Sequence, residues 1–190
     1  MAQRIGLVLA GGSGRRMGRT KGDLIFEGTT LATRAARALW PMCGSVFISV
    51  ARDRPNPAPG FPTVEDEPPA GRGPLAGIAA GFRATGSADL VVLACDYPRV
   101  VSDLLAALAA GGADHDVVIP TDPGGRDHPL VGLWRRSAED SVRRALEEGA
   151  REVRGVLRDL RVRRLAAADL PDLDWAQALG NWNVPGDVGG

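Results

Sequence analysis

The chain reads as an α/β protein, a mostly parallel, doubly wound, Rossmann-like sheet with helices on both faces, forming a single domain over residues 1–190. Three observations predict this. Short apolar runs that end in turn residues alternate with helix-period segments along the whole sequence. One of those runs, Leu90-Val91-Val92-Leu93-Ala94, is continuously apolar, as strands covered on both faces are. The first run opens directly into a glycine-rich loop, which is where such sheets carry their ligand loops.

The elements follow in order. Residues 5–10 form the first strand. A helix over 31–39 presents Leu31, Ala35 and Leu39 on one face, with Thr29 or Thr30 as its N-cap. Residues 46–50 form the second strand, and Pro55, Pro57, Pro59 and Pro62 punctuate the loop before a short strand near 61–64. Leu75, Ile78 and Phe82 recur at helical spacing within 73–83, and the central strand, 90–94, comes next. A helix at 102–110, strands at 116–120 and 129–134, helices at 137–148 and 152–160 and a strand at 162–166 complete the series. Around 137–148 the charges stand four apart, pairing Arg135 with Glu139, Arg136 with Asp140, Glu139 with Arg143, Asp140 with Arg144 and Arg143 with Glu147. The arginine doublets there read as a solvated, self-neutralised helix face.

Composition excludes several classes. With 44% hydrophobic and 24% charged residues the chain is globular, and no stretch approaches the roughly 18 to 20 apolar residues of a membrane span. The first residues lack the pattern of a secretory signal, so a cytoplasmic protein is expected. Cys43 and Cys95 show no CxxC or Cys/His spacing and are expected to be buried thiols, neither disulfide nor zinc site. Twenty-three basic against 23 acidic residues give zero net charge, which argues against a bulk grip on nucleic acid. Of the 23 basic residues 22 are arginine, and the single lysine is Lys21. A compact ammonium and a planar guanidinium do different work, so that position draws attention.

Two places carry chemistry. The loop Leu9-Ala10-Gly11-Gly12-Ser13-Gly14-Arg15-Arg16-Met17-Gly18-Arg19-Thr20-Lys21 combines glycines, which let backbone N–H groups approach phosphate oxygens, with the charges of Arg15, Arg16 and Lys21. It is neither a Walker A loop nor a clean GxGxxG, and on glycines alone it could be a simple turn. Asp96 stands where the central strand runs out, in the crevice at the carboxyl ends of the strands. It is a natural Mg²⁺ ligand, or a cap on the turn at Tyr97-Pro98.

These residues carry a resemblance. The first loop resembles the LAGGxSxRMGxxK signature of the molybdenum cofactor guanylyltransferases, the molybdopterin-guanine dinucleotide biosynthesis protein A family. Gly73-Pro74-Leu75-Ala76-Gly77 is similar to that family's guanine-side segment, and Cys95-Asp96-Tyr97-Pro98 to its metal-binding strand end. Arg126-Asp127-His128-Pro129 and Asn181-Trp182-Asn183-Val184-Pro185 resemble its RDHP and NxNxP elements. Ala94 and Tyr97 depart from the Pro and small residue expected there, and Ser49 from a frequent Asn.

The resemblance implies transfer of GMP from GTP to the terminal phosphate of molybdenum-molybdopterin. It places Leu9, Ala10, Gly11, Gly12, Lys21, Ser49, Asp66, Gly73, Pro74, Leu75, Gly77 and Asp96 around the nucleotide, with Mg²⁺ on Asp96. Lys21, Arg15, Arg16 and Asp96 would be catalytic, and Arg126, His128, Asn181 and Asn183 would face the pterin. It implies transient contacts with proteins that deliver and accept the cofactor, and neither nucleic acid nor membrane as partner. The acceptor phosphate is already largely dianionic at neutral pH, so no general base is needed, and His128 is expected to order a loop or touch substrate. Gly77 and Gly81 also fit simple close packing of a helix on the sheet. The alternatives are a related transferase using CTP or a sugar or polyol phosphate, or a non-catalytic nucleotide-binding protein that delivers cofactor. LAGG and GPLAG favour guanine over the LAAG of cytosine-using relatives.

Overall fold

A computed structural model of the chain describes residues 3–11, 20–66, 73–112, 114–150 and 152–182. The apolar runs become β1 (Arg4–Leu9), β4 (Ser45–Val50), β5 (Thr63–Glu65), β6 (Asp89–Ala94), β7 (Val117–Pro120), β8 (Val131–Trp134) and β9 (Val162–Leu165). They form one seven-stranded sheet in the order β5-β4-β1-β6-β8-β7-β9. All pairings are parallel except those of β8, which runs antiparallel to β6 and β7 and is inserted between them. Every residue of β6 is buried, as its unbroken apolar run requires of a central strand.

Helices cover both faces. On one, α1 (Leu31–Leu39) packs beside α3 (Ser102–Ala110); on the other, α2 (Pro74–Thr85) packs beside α4 (Glu139–Glu147). Thr30 caps α1, its hydroxyl accepting from the Thr33 backbone N at 3.1 Å, while Leu31, Ala35 and Leu39 are buried as their spacing predicts. Leu75, Ile78 and Phe82 of α2 are fully buried. Residues 152–160 split into α5 (Val153–Val156) and a 3-10 turn, Leu157–Asp159. No helix among the described residues is long and apolar enough to cross a membrane.

Three features depart from the sequence reading. A hairpin, β2 (Ile25–Phe26) with β3 (Thr29–Thr30), follows the glycine-rich loop; its turn places Glu27 and Gly28 at φ 46° and 78°, the geometry that matches strand twist in two-residue hairpins. A short α6 (Trp175–Ala178) is capped by Asp174, which accepts from Gln177 N at 3.0 Å. The charge ladder on α4 is only partly made: Arg143 pairs with Glu147, but also with Asp140 three residues away, and Arg136 pairs with Glu139. Arg135 precedes the helix and instead bonds Asp89 and the carbonyls of Gly111 and Gly112. That long-range tie competes with a local pair because Asp89 is buried and would otherwise lack a counter-charge.

Asp116 fastens the same end of the sheet, where β7 begins. It accepts from Ser137 Oγ at 2.6 Å and from Arg161 through the backbone N at 2.9 Å and the guanidinium at 2.8 and 3.1 Å. The Arg161 hydrogen bonds, against the opposing effect of burial, hold its carboxyl well below the usual carboxylate range. A lowered folded-state pKa contributes stability that is complete above the unfolded value and is lost as pH falls below it. We therefore expect Asp116→Asn to flatten the acid side of the stability profile below about pH 4. Urea unfolding at several pH values checks this; parallel profiles for the two proteins would refute it.

Candidate active site

The carboxyl ends of β1, β4 and β6 meet the first turn of α2 around a cleft of about 140 Å³. Leu9, Gly11, Lys21, Ser49, Asp66, Gly73, Pro74, Gly77 and Asp96 line it, joined by Ala94, Cys95 and Leu130. Most of the residues that the resemblance assigns to the nucleotide therefore share one wall-to-wall space. Adjacent strands explain the convergence: Ala10 N donates to Ser49 O at 3.1 Å, and Cys95 N to Leu9 O at 3.2 Å, so the three strand ends are tied side by side.

Lys21 opens a 3-10 turn, Lys21–Asp23, which a capping box fixes: Thr20 donates to Asp23 Oδ2 from its backbone N and its hydroxyl, each at 2.8 Å. From that turn Lys21 Nζ reaches Asp96 Oδ2 at 3.3 Å, across 75 residues of sequence, and the Trp182 carbonyl at 3.3 Å. The pair is partly open to solvent, with 32% of the Lys21 and 19% of the Asp96 side chain exposed. Asp96 Oδ1 is buried and has no hydrogen-bond partner. A buried carboxylate oxygen with nothing to satisfy it is a donor atom positioned for a cation. Among the described residues no cluster of three or more His, Cys, Asp or Glu could hold a metal by itself, so an ion on Asp96 would complete its shell with phosphate oxygens and water.

On the other wall Ser49 Oγ donates to Asp66 Oδ1 at 2.7 Å, and Asp66 N bonds Val50 O at 3.0 Å. Burial raises the Asp66 carboxyl above its ordinary range, and the Ser49 hydroxyl partly offsets this. Gly73 stands at φ 74°, a conformation that favours glycine, and delivers the chain to Pro74 at the first helical position. Gly77 lies against Ser49 and Leu9; a Cβ there would come 2.5 Å from Ser49 Oγ and 2.8 Å from Leu9 Cδ2. Both the packing and the site readings of Gly77 thus meet at one atom. Gly77→Ala is expected to cost about 1 to 3 kcal/mol by overpacking, lowering the melting temperature by several degrees, roughly 2 to 4 °C per kcal/mol. Gly155→Ala, where a Cβ meets nothing within 4 Å, serves as the control and should melt like the parent. Equal melting of both variants would contradict the close approach.

Other predicted residues lie elsewhere. Leu75 and Ala10 are buried in the core, so only their backbones can serve a ligand. Arg126 is exposed in a separate basic pocket of about 680 Å³ with Arg154, Arg158 and Arg164. His128 is only 4% exposed; its ring bonds the Tyr97 hydroxyl at 3.2 Å and Asp122 Oδ2 at 3.1 Å. It orders the turn after Asp96 from 31 residues away, a contact no local pattern announces, and Tyr97 is the departure from the family pattern that makes it possible. Burial first and Asp96 second push the Tyr97 phenol and the Cys95 thiol each up to about 12, so both stay neutral at physiological pH. Cys43 is likewise a buried thiol, raised by burial to about 11. Asn181 is half-buried beside Trp182. Gly12, Arg15, Arg16 and Asn183 lie outside the described residues.

Comparison with known proteins follows the same lines. The chain is 37% identical over 175 residues to the molybdenum cofactor guanylyltransferase of Acidiphilium cryptum, covering 87% of this chain and 85% of that protein. It is 38% identical over 189 residues to the enzyme of that name from Cereibacter sphaeroides, covering 96% and 92%. Its fold is similar to the crystal structure of molybdopterin-guanine dinucleotide biosynthesis protein A from Archaeoglobus fulgidus, with a TM-score of 0.78, 27% identity, and coverage of 97% and 94%. Residues 6–173 match the MobA-like NTP transferase domain, a span that includes both Lys21 and Asp96. The match spans the cleft from the end of β1 to Leu130, and the chain belongs to the MobA-like NTP transferase family.

Proposed function

We propose that this chain transfers GMP from GTP to the terminal phosphate of molybdenum-molybdopterin, forming the guanine dinucleotide cofactor and pyrophosphate, in the cytoplasm. The observation that carries the reading is the meeting of Lys21 and Asp96 at 3.3 Å, from 75 residues apart, in the cleft between the carboxyl ends of β1 and β6 and the first turn of α2. The guanylyltransferase names of relatives that match nearly the whole chain support the choice of GTP.

In this reading an oxygen of the acceptor phosphate attacks the α-phosphorus of GTP, the α–β phosphoanhydride bond breaks, and its electron pair leaves with pyrophosphate. The acceptor's second pKa is near 6, so no side chain needs to take a proton. The obstacle is repulsion between anions, and the protein's task is positioning and charge stabilisation. Lys21 holds triphosphate oxygens, with Arg15 and Arg16 adding charge from the same loop. The backbones of Leu9, Ala10, Gly11 and Gly12 border the nucleotide; Ser49, Asp66, Gly73, Pro74, Leu75 and Gly77 form its base side. Asp96 would hold Mg²⁺, whose charge, when bound, offsets that of the phosphates. Asn181, Asn183 and Arg126 attend the acceptor, and His128 acts by fixing Tyr97 beside Asp96. Brief contacts with the proteins that deliver and receive the cofactor complete the cycle.

Incubation with GTP, Mg²⁺ and molybdopterin tests the proposal: the dinucleotide and pyrophosphate should form in equal amounts, and CTP, ATP or UTP should not replace GTP. Product with CTP in preference to GTP would favour the cytidylyl alternative, and GTP binding without product would favour a delivery protein.

A further inference from the structure

Trp182 lies far from the cleft in sequence, yet it bonds both members of the Lys21–Asp96 pair. Its backbone N donates to the Asp96 carbonyl at 2.8 Å, and its own carbonyl accepts from Lys21 Nζ at 3.3 Å. Its ring meets Phe26 edge to face, with centroids 4.5 Å apart. Phe26 is buried in the hairpin directly after the Lys21–Asp23 turn, and the Arg34 guanidinium lies 4.7 Å over its ring. Arg34 in turn donates to the Pro98 carbonyl at 2.6 Å, two residues past Asp96. The circuit is closed: Lys21, the hairpin, Arg34, the turn after Asp96, and the tail.

Any residue at 182 could make the two backbone hydrogen bonds. A segment outside helix and strand, however, loses conformational freedom when it is pinned, and two backbone bonds that water could replace hold it weakly. The aromatic contact supplies what the backbone does not, a directional apolar anchor. Lys21 depends on that anchor, because the Trp182 carbonyl accepts from its ammonium beside Asp96. An ammonium carries three N–H donors, so Lys21 can keep that carbonyl while it turns an N–H to a triphosphate oxygen.

We propose that Trp182 is a positioning residue for the transfer reaction: its ring on Phe26 fastens the tail across the strand end, and through its carbonyl it sets where the Lys21 ammonium stands relative to Asp96. The inference rests on the proposed transfer activity for its kinetic test and on nucleotide binding alone for its spectroscopic one. Trp182→Ala should lower kcat by tenfold or more while KM for GTP changes less than threefold, since the base side of the cleft is untouched. Trp182→Phe should recover at least a third of the parent kcat, because a phenyl ring still reaches Phe26. Phe26→Leu, which removes the other ring, should reproduce the Trp182→Ala defect.

The second readout needs no acceptor. Titrating GTP with Mg²⁺ should change tryptophan fluorescence in the parent protein, and that change should vanish in Trp182→Phe, although Trp40, Trp134 and Trp175 remain. Parent-like kcat in Trp182→Ala, or a fluorescence change that survives in Trp182→Phe, would overturn the inference. A parent protein that binds GTP with the Trp182 signal but makes no dinucleotide would instead sink the proposed activity and leave the positioning of Lys21 standing.

Discussion

Asp96→Asn is expected to lower nucleotidyl transfer by about 10²- to 10³-fold while the protein still folds. The amide has almost the shape of the carboxylate, so the packing at the end of β6 is kept. What disappears is the negative charge, and with it the means to hold a divalent cation at Oδ1, the oxygen that is buried without a hydrogen-bond partner. The cost to stability is small because the Lys21–Asp96 pair is partly exposed, and such pairs contribute about 0 to 1 kcal/mol. Lys21 also keeps its hydrogen bond to the Trp182 carbonyl. Pyrophosphate release under saturating GTP, with a melting curve on the same sample, checks both halves. A folded Asp96→Asn protein that turns over at the parent rate would remove Asp96 from the chemistry.

Lys21→Ala is expected to have a comparable effect, about 10²- to 10³-fold, from the opposite sign of charge. With the ammonium gone, the Asp96 carboxylate faces an incoming triphosphate with less compensation, so the variant suffers both a lost attraction and an added repulsion. Lys21→Arg should not restore activity. The longer, planar guanidinium cannot occupy the point between Asp96 Oδ2 and the Trp182 carbonyl that a compact ammonium fills at 3.3 Å from each. In a chain whose other 22 basic residues are all arginine, this substitution asks why one lysine persists. Steady-state kinetics with varied GTP decides it; full activity in Lys21→Arg would mean that charge alone suffices.

The sequence made some of this legible and hid the rest for identifiable reasons. Leu90 to Ala94 announced the central strand because a strand buried on both faces needs no polar side, and Leu31, Ala35 and Leu39 announced a helix face. Lys21 and Asp96 were legible as a pair because they follow β1 and β6, which are adjacent parallel strands and so end at the same edge. The insertion of antiparallel β8 was not legible, since the order of strands depends on contacts between distant segments. The two-residue strands of the hairpin are too short to show any period, and only Glu27-Gly28 could have signalled the turn. Trp182 was quoted as part of a motif, but its grip on Phe26 crosses most of the chain. Arg135 misled because four-residue spacing finds helix neighbours and cannot see Asp89 on the sheet. His128 showed its type in sequence but not its partners, Tyr97 and Asp122.

The central claim is that the Lys21 ammonium and the Asp96 carboxylate act on one triphosphate as a unit, and a double-mutant cycle tests it most directly. Transfer rates at the same GTP and Mg²⁺ concentrations would be compared for the parent, Lys21→Ala, Asp96→Asn and the double variant. Groups that work together lose their joint effect with the first substitution, so the double variant should be little slower than the worse single one. A double variant slowed by the full product of the two single losses would show the residues acting independently and contradict the shared site.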